Sequence, residues 1–200
     1  MQRRSAIELI AAFPLLAGAA AVLSACGERK PQFSAVDLTG ADYARDFQLP
    51  DADGRMRSLQ DFRGKAVIVF FGFTQCPDVC PTTLAEIAQA RTLLGAKGEQ
   101  VQGVFITVDP ERDTPQVLKA YMANFGPGFV ALRGTPEQTA AVAKDFKVYY
   151  KKVEGKAPGT YSMDHSAASF VYDPQGRLRL YTRYGSGAQA LADDLKILLA

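Results

Sequence analysis

Tryptophan is absent from the 200 residues and histidine occurs once, so any chemistry that needs an imidazole runs through His165. A surplus of charge is missing too: 23 basic and 21 acidic residues leave +2, and without residues 1–25, which hold Arg3, Arg4 and Glu8, +1. A nucleic-acid partner, which calls for a basic surface, is therefore not indicated. No internal repeat or low-complexity tract interrupts the chain. With 48% of its residues hydrophobic, it is long enough for one well-buried domain. Cysteine is scarce, with three in all, at positions 26, 76 and 80.

The first 25 residues have the plan of a secretory signal: Arg3 and Arg4 at the positive end, a mostly apolar stretch from Leu9 to Leu23, then small residues. The stretch is too short and too alanine-rich for a membrane span. Leu23-Ser24-Ala25-Cys26 resembles the bacterial lipobox, where the signal is cut before the cysteine and the thiol is lipidated. On that reading residues 1–25 are a lipoprotein signal peptide, Cys26 carries lipid, 26–44 form a polar tether and 45–200 the folded domain. Each buried CH2 of an acyl chain contributes about 0.8 kcal/mol, so a multiply acylated Cys26 holds the domain on the membrane. An uncleaved N-terminal anchor is the alternative, and either places the domain outside the cytoplasm. Ser5 and Ala6 fit a twin-arginine signal poorly.

Asp46–Leu49 and Arg55–Leu59 flank the turn signal Asp51-Ala52-Asp53-Gly54, which predicts a leading hairpin. The apolar run 66–73 (Ala-Val-Ile-Val-Phe-Phe-Gly-Phe) reads as a strand buried on both faces, and 101–108 as a second. Helices are expected over 81–94, from Asp113-Thr114-Pro115 through Met122, from Thr135-Pro136 to Phe146, and over 188–199. A short strand at 148–153 and a hairpin, 169–173 with 177–182, complete the pattern. This is an α/β fold: a mixed central sheet with helices on both faces and an N-terminal hairpin.

Cys76 and Cys80 sit where the first buried strand runs into a helix, the end of a sheet at which reactive groups collect. A helix N-terminus favours anions, so the thiols there are expected to acidify. Residues i and i+4 in near-helical geometry stand about 5–6 Å apart at Cβ. That suits two thiolates each about 2.3 Å from one metal ion, whereas a disulfide needs Cβ atoms nearer about 3.8 Å and is reached only if the loop tightens, so the spacing tolerates both states and leans towards metal. Redox dithiols more often have two intervening residues than three. With His165 the pair makes a three-donor set that satisfies Cu(I), or Cu(II) with an added oxygen, and equally zinc with an open position. His165 is expected in a loop that, with the Gly155–Gly159 stretch ahead of it, forms a mobile flap closing on the metal. A lone histidine is more often an ordinary core or surface residue, and the two cysteines are what reverse that preference.

Gly-Phe-Thr-Gln-Cys-Pro-Asp-Val-Cys-Pro (72–81), Val-Asp-Pro-Glu-Arg-Asp-Thr-Pro (108–115) and Asp-His-Ser (164–166) resemble the Sco/SenC family of copper chaperones, over roughly residues 45–199. The resemblance implies a thioredoxin-like fold, copper ligands at Cys76, Cys80 and His165, and delivery of copper to the dinuclear copper site of cytochrome c oxidase, or upkeep of that subunit's thiols. It also implies a second envelope chaperone as copper donor. Thioredoxin-fold reductases carry proline where Ala167 stands here, and Thr74-Gln75-Cys76 lacks the peroxiredoxin pattern. The rival functions are a thiol-disulfide reductase using Cys76 and Cys80 and a copper or redox sensor.

Other residues carry two readings each. Asp109 and Asp113 form a docking loop, or Asp113 or Thr114 caps a helix while Arg112 pairs locally. Asp78 supplies an oxygen to Cu(II) or is a turn residue. Met163 fills a gap rather than ligating, Asp164 orients His165, and Tyr149, Tyr150 and Tyr161 form a docking surface or pack.

Overall fold

The two longest apolar runs lie side by side at the centre of a six-stranded sheet. The structure, a computed structural model, describes residues 31–200, and 33–200 form one compact unit. In chain order the strands are β1 (Val36–Asp37), β2 (Leu49–Pro50), β3 (Met56–Arg57), β4 (Ala66–Gly72), β5 (Val101–Thr107), β6 (Phe129–Leu132), β7 (Tyr150–Glu154), β8 (Tyr161–His165), β9 (Ser169–Tyr172) and β10 (Leu178–Thr182). The helices are α1 (Val79–Leu93), α2 (Pro115–Ala123), α3 (Pro136–Asp145) and α4 (Ala188–Leu198). The sheet runs β1-β10-β9-β4-β5-β6, with β4, β5 and β6 parallel and the β4–β9, β9–β10 and β10–β1 pairs antiparallel.

Every residue of β4 and β5 is buried, because helices cover both faces and leave no solvent side for polar residues to alternate towards. On one face Ile87 and Ala90 of α1 and Leu191, Ala192 and Leu195 of α4 pack on Ala66, Ile68, Val101 and Leu180. On the other, Leu118 and Met122 of α2, Ala143 of α3 and Phe146 pack on Val67, Val69, Phe71, Val104 and Ile106. The Thr-Pro starts work as expected. Thr114 accepts from Val117 N–H and Thr135 from Gln138 N–H, and Gln138 answers back to complete a capping box.

The leading hairpin is present as β2 and β3, two residues each, paired Leu49 to Arg57 and Pro50 to Met56. Asp51 holds its turn by accepting from the backbones of Asp53 and Arg55 and from Arg57 Nε.

Three elements depart from expectation. Strands β6 and β8 were not foreseen, and the tether boundary moves. Within the stretch expected to be tether, residues 33–44 belong to the folded unit. There β1 pairs with β10, Ser34 and Ala35 donate N–H to the buried Asp194 carboxylate at 2.7 and 2.9 Å, and Ala44 is fully buried. The stretch shows no periodicity because it is docked by backbone hydrogen bonds together with irregularly spaced apolar residues, Phe33 and Ala35 on one core and Leu38, Ala41, Tyr43 and Ala44 on the other. The expected signal peptide 1–25 and lipidated Cys26 lie outside the described residues. Among the described residues no helix is long and apolar enough to cross a membrane.

Candidate metal centre

Strand β4 delivers the chain to the loop that carries Cys76, and Cys80 follows in the first turn of α1. His165, expected in a loop, is the last residue of β8, opposite Tyr150 of β7. The Gly155–Gly159 stretch is the tip of that hairpin, closed by Gly155 N–H donating to Thr160 O at 2.8 Å. The structure brings all three candidates together. Cys80 Sγ lies 3.4 Å from His165 Nε2, Cys80 N–H donates to Cys76 Sγ over 3.4 Å, and one donor atom from each residue falls within 4.8 Å of the others. Three donors about 2.3 Å from a shared ion stand roughly 4 Å apart, so the set closes on a metal with small side-chain adjustments.

The ring of His165 is fixed from three sides. Phe73 and Phe70 stand edge-on to it at 5.9 and 6.0 Å, and its Nδ1 lies 3.0 Å from the carbonyl of Ser166. A carbonyl only accepts, so Nδ1 carries the proton and the Nε2 lone pair is left facing the sulfurs. Burial depresses the imidazole pKa, against the opposing pull of the Ser166 carbonyl and Asp164, and keeps the ring neutral and able to ligate.

Cys80 is fully buried. The expected acidification at the helix N-terminus does not hold for it. Burial raises its thiol pKa above the usual range, helped by the neighbouring Cys76 sulfur and Asp113 and only partly opposed by a backbone hydrogen bond at Phe73. The thiol fits because residue 72 is glycine. A Cβ there would stand 2.8 Å from Cys80 Sγ, 2.8 Å from Phe105 and 3.0 Å from Phe70.

The SCO1/SenC family model matches residues 36–200. The chain belongs to that family. It is 33% identical to an SCO2-like protein of Rickettsia felis over 196 residues, 95% of this chain and 96% of the relative. Bradyrhizobium japonicum ScoI with copper bound is 40% identical and superposes with a TM-score of 0.70, covering 77% of this chain and 98% of that one. Apo Sco1 of Thermus thermophilus is also 40% identical, with a TM-score of 0.75, 84% of this chain and 98% of that one covered. The fold of this SCO1/SenC member is thioredoxin-like, as expected.

The remaining candidates in this SCO1/SenC member separate cleanly. Asp113 is neither a docking residue nor the cap of α2, which is Thr114. It is fully buried and accepts from Thr74 N–H at 3.1 Å, Thr74 Oγ1 at 2.6 Å and Thr107 Oγ1 at 2.5 Å, so it anchors the start of the cysteine loop to the end of β5. Burial raises its pKa, opposed by these hydrogen bonds. Arg112 pairs with Asp109 and also reaches Gln75 and Tyr161. Asp78 accepts weakly from Thr82 and Tyr184, at 3.4 and 3.5 Å, on the surface. Met163 packs on the core. Asp164 lies exposed across from Lys151, and the Ser166 carbonyl, not Asp164, orients the imidazole. Tyr149 is exposed, whereas Tyr150 packs on the core.

Gly72, Thr74 and Gln75 were not singled out from sequence. The glycine that interrupts the apolar run 66–73 was the available signal for the first. Thr74 and Gln75 stand in the motif 72–81, but what they hold does not show there, because their partners lie 37 to 39 residues away.

Proposed function

We propose that this chain is a copper carrier of the bacterial cell envelope, in which Cys76, Cys80 and His165 hold one copper ion as cargo and give it up to a partner. The convergence of two thiols and a neutral imidazole within 4.8 Å carries the reading. Two soft sulfurs and one nitrogen suit Cu(I), with room for an oxygen donor when the ion is Cu(II). Copper bound in the 40% identical ScoI supports the choice of copper over zinc. Cys76 is the more accessible sulfur, half-buried against the fully buried Cys80. An incoming thiolate therefore displaces Cys76 first, His165 and Cys80 release next, and Cys80 takes back a proton as the ion leaves.

The acceptor in this reading is the copper-accepting subunit of cytochrome c oxidase, at its dinuclear site, since the Sco family is one of cytochrome c oxidase assembly proteins. A second envelope chaperone supplies the ion. The protein sits on the periplasmic side of the membrane, cleaved after residue 25 and lipidated at Cys26, with a tether no longer than 26–32 because the folded unit begins at Phe33.

The test is an anaerobic titration of the reduced full-length protein with copper, followed by mixing with the apo acceptor subunit. One equivalent bound and then transferred is the expected result. Fast disulfide turnover that survives His165→Ala, with no copper uptake, would establish a reductase instead, and tight binding without release would establish a sensor.

A further inference from the structure

The two halves of the metal centre come from segments 85 residues apart, and the ligands themselves lie outside the ladder of the large sheet. The cysteines follow β4 of the large sheet, while His165 ends a separate two-stranded sheet, β7–β8. The β4–β9 ladder, with Phe70 opposite Ser169, brings the two segments near each other. The last residues between that ladder and the ligands, the cysteine loop on one side and the β7–β8 hairpin on the other, are set by side chains. We propose that Arg112 is a positioning residue of the centre, whose guanidinium ties the cysteine loop to the histidine hairpin and so fixes how His165 Nε2 meets the two sulfurs. This rests on the reading of those three residues as copper ligands.

Arg112 lies on the loop between β5 and α2 and contacts both halves. Its Nη1 donates to Gln75 Oε1 at 3.0 Å, next to Cys76, and to the carbonyl of Tyr161 at 2.8 Å, on β8. Its Nε pairs with the buried Asp109. The ring of Tyr161 lies 3.6 Å from the guanidinium carbon, and the Tyr161 hydroxyl donates to the same Asp109 at 2.8 Å. Strand β7 is fastened to the same loop by Lys152, 3.0 Å from Glu111 and 3.9 Å from the Tyr161 ring.

Tyr161 and His165 are the first and last residues of one five-residue strand. Residues i and i+4 of a strand share a face, so a strand pinned at Tyr161 holds the imidazole at its other end. The guanidinium also stands 5.9 Å from the ring of Phe73, the same ring that meets His165 edge-on.

Arg112 Nη2 is enclosed and has no hydrogen-bond partner among the described residues. The flat fork is kept in place with one donor unpaired, while its other donors serve three segments. Lysine, a compact ammonium with no fork, has no means of reaching Gln75, the Tyr161 carbonyl and Asp109 together.

The experiment is a double-mutant cycle on the full-length protein. Cu(I) affinity is measured by competition with a chromophoric chelator, and the thiolate-to-Cu(II) absorption is recorded, for wild type, Arg112→Ala, His165→Ala and the double variant. Arg112→Ala is expected to weaken copper by roughly 10- to 100-fold, the usual effect of losing an outer support of a metal ligand. Its absorption should move towards that of His165→Ala, and Arg112→Lys should not restore either. In the His165→Ala background the same change should alter affinity by less than about twofold, because what the clamp sets, the meeting of the imidazole with the sulfurs, is already gone.

Equal losses in both backgrounds, or wild-type affinity and absorption in Arg112→Ala, would overturn the proposal. A His165→Ala protein indistinguishable from wild type would instead sink the ligand assignment itself. If thermal unfolding shows that Arg112→Ala does not fold, Gln75→Ala decides. Residue 75 is exposed, its loss cuts only the cysteine-side arm, and it should weaken copper only while His165 is present; no effect there refutes the clamp.

Discussion

Replacing Gly72 with alanine tests the packing around Cys80 most sharply. The added Cβ would lie 2.8 Å from Cys80 Sγ and from Phe105, and 3.0 Å from Phe70. Ordinary contact begins near 3.4 Å, so these neighbours must retreat by 0.4 to 0.6 Å. Phe70 and Phe105 are both fully buried and packed on each other at 6.2 Å, which leaves the sulfur as the freest of the three. A sulfur displaced by that much moves by about a quarter of a metal–sulfur bond of roughly 2.3 Å.

Two effects follow. Overpacking costs about 1–3 kcal/mol, and at about 2–4 °C per kcal/mol for a chain of this size the melting temperature drops by about 2–12 °C. Copper affinity falls by at least about tenfold, as when a ligand's support is lost. Calorimetry of the apo protein and Cu(I) competition read the two separately. A Gly72→Ala protein that melts lower but binds copper with wild-type affinity would refute the claim that this glycine makes room for the ligand sulfur.

Copper affinity should rise with pH, since burial keeps the Cys80 thiol protonated above its ordinary value of 9.0 and binding must expel that proton, so this thiol alone gives a gain of at least about one log unit per pH unit; a flat profile between about pH 6.5 and 9 contradicts this. The apo protein should be most stable between about 6.5 and 9.0, the ordinary values of the two groups. Below 6.5 the unfolded histidine takes a proton that the depressed His165 refuses, and above 9.0 the unfolded thiol ionises while Cys80 does not, so both sides favour unfolding. Asp194→Ala removes the acceptor of Ser34 and Ala35 N–H and should cost about 1–3 kcal/mol, with faster protease cutting around residues 33–35 and unchanged copper affinity; an unchanged melting curve refutes that latch. Labelled fatty acid fed to the cells should be incorporated into the protein and lost in Cys26→Ala, and absent or unchanged labelling would exclude a lipid anchor at that residue.

What could be read from the chain beforehand follows a physical line. Strands β4 and β5 are legible because burial on both faces makes them unbroken apolar runs, and α2 and α3 because Thr-Pro supplies both the cap and the first-turn proline. Strand β8 is hard to see: half-buried Tyr161, Met163 and His165 alternate with exposed Ser162 and Asp164, but five residues with only two apolar positions give too short a period, and its pairing with β7 makes it a strand. Strand β6 is four residues long behind Gly126-Pro127-Gly128, too short for a period to show. The same division runs through the site. The four-residue spacing of Cys76 and Cys80 can be read without any structure as favouring a shared ion over a disulfide while leaving both open. The raised Cys80 pKa does not, because it comes from burial under residues distant in the chain. Asp113 looks like a helix cap from its neighbours, and only the fold brings Thr74 and Thr107 onto its carboxylate.

Copper-edge X-ray absorption of the copper-loaded protein tests the central claim most directly. Two sulfur scatterers near about 2.3 Å and one nitrogen near about 2.0 Å, with the nitrogen lost in His165→Ala, is the predicted result. A shell made of sulfur alone, or a nitrogen that persists without His165, would contradict it.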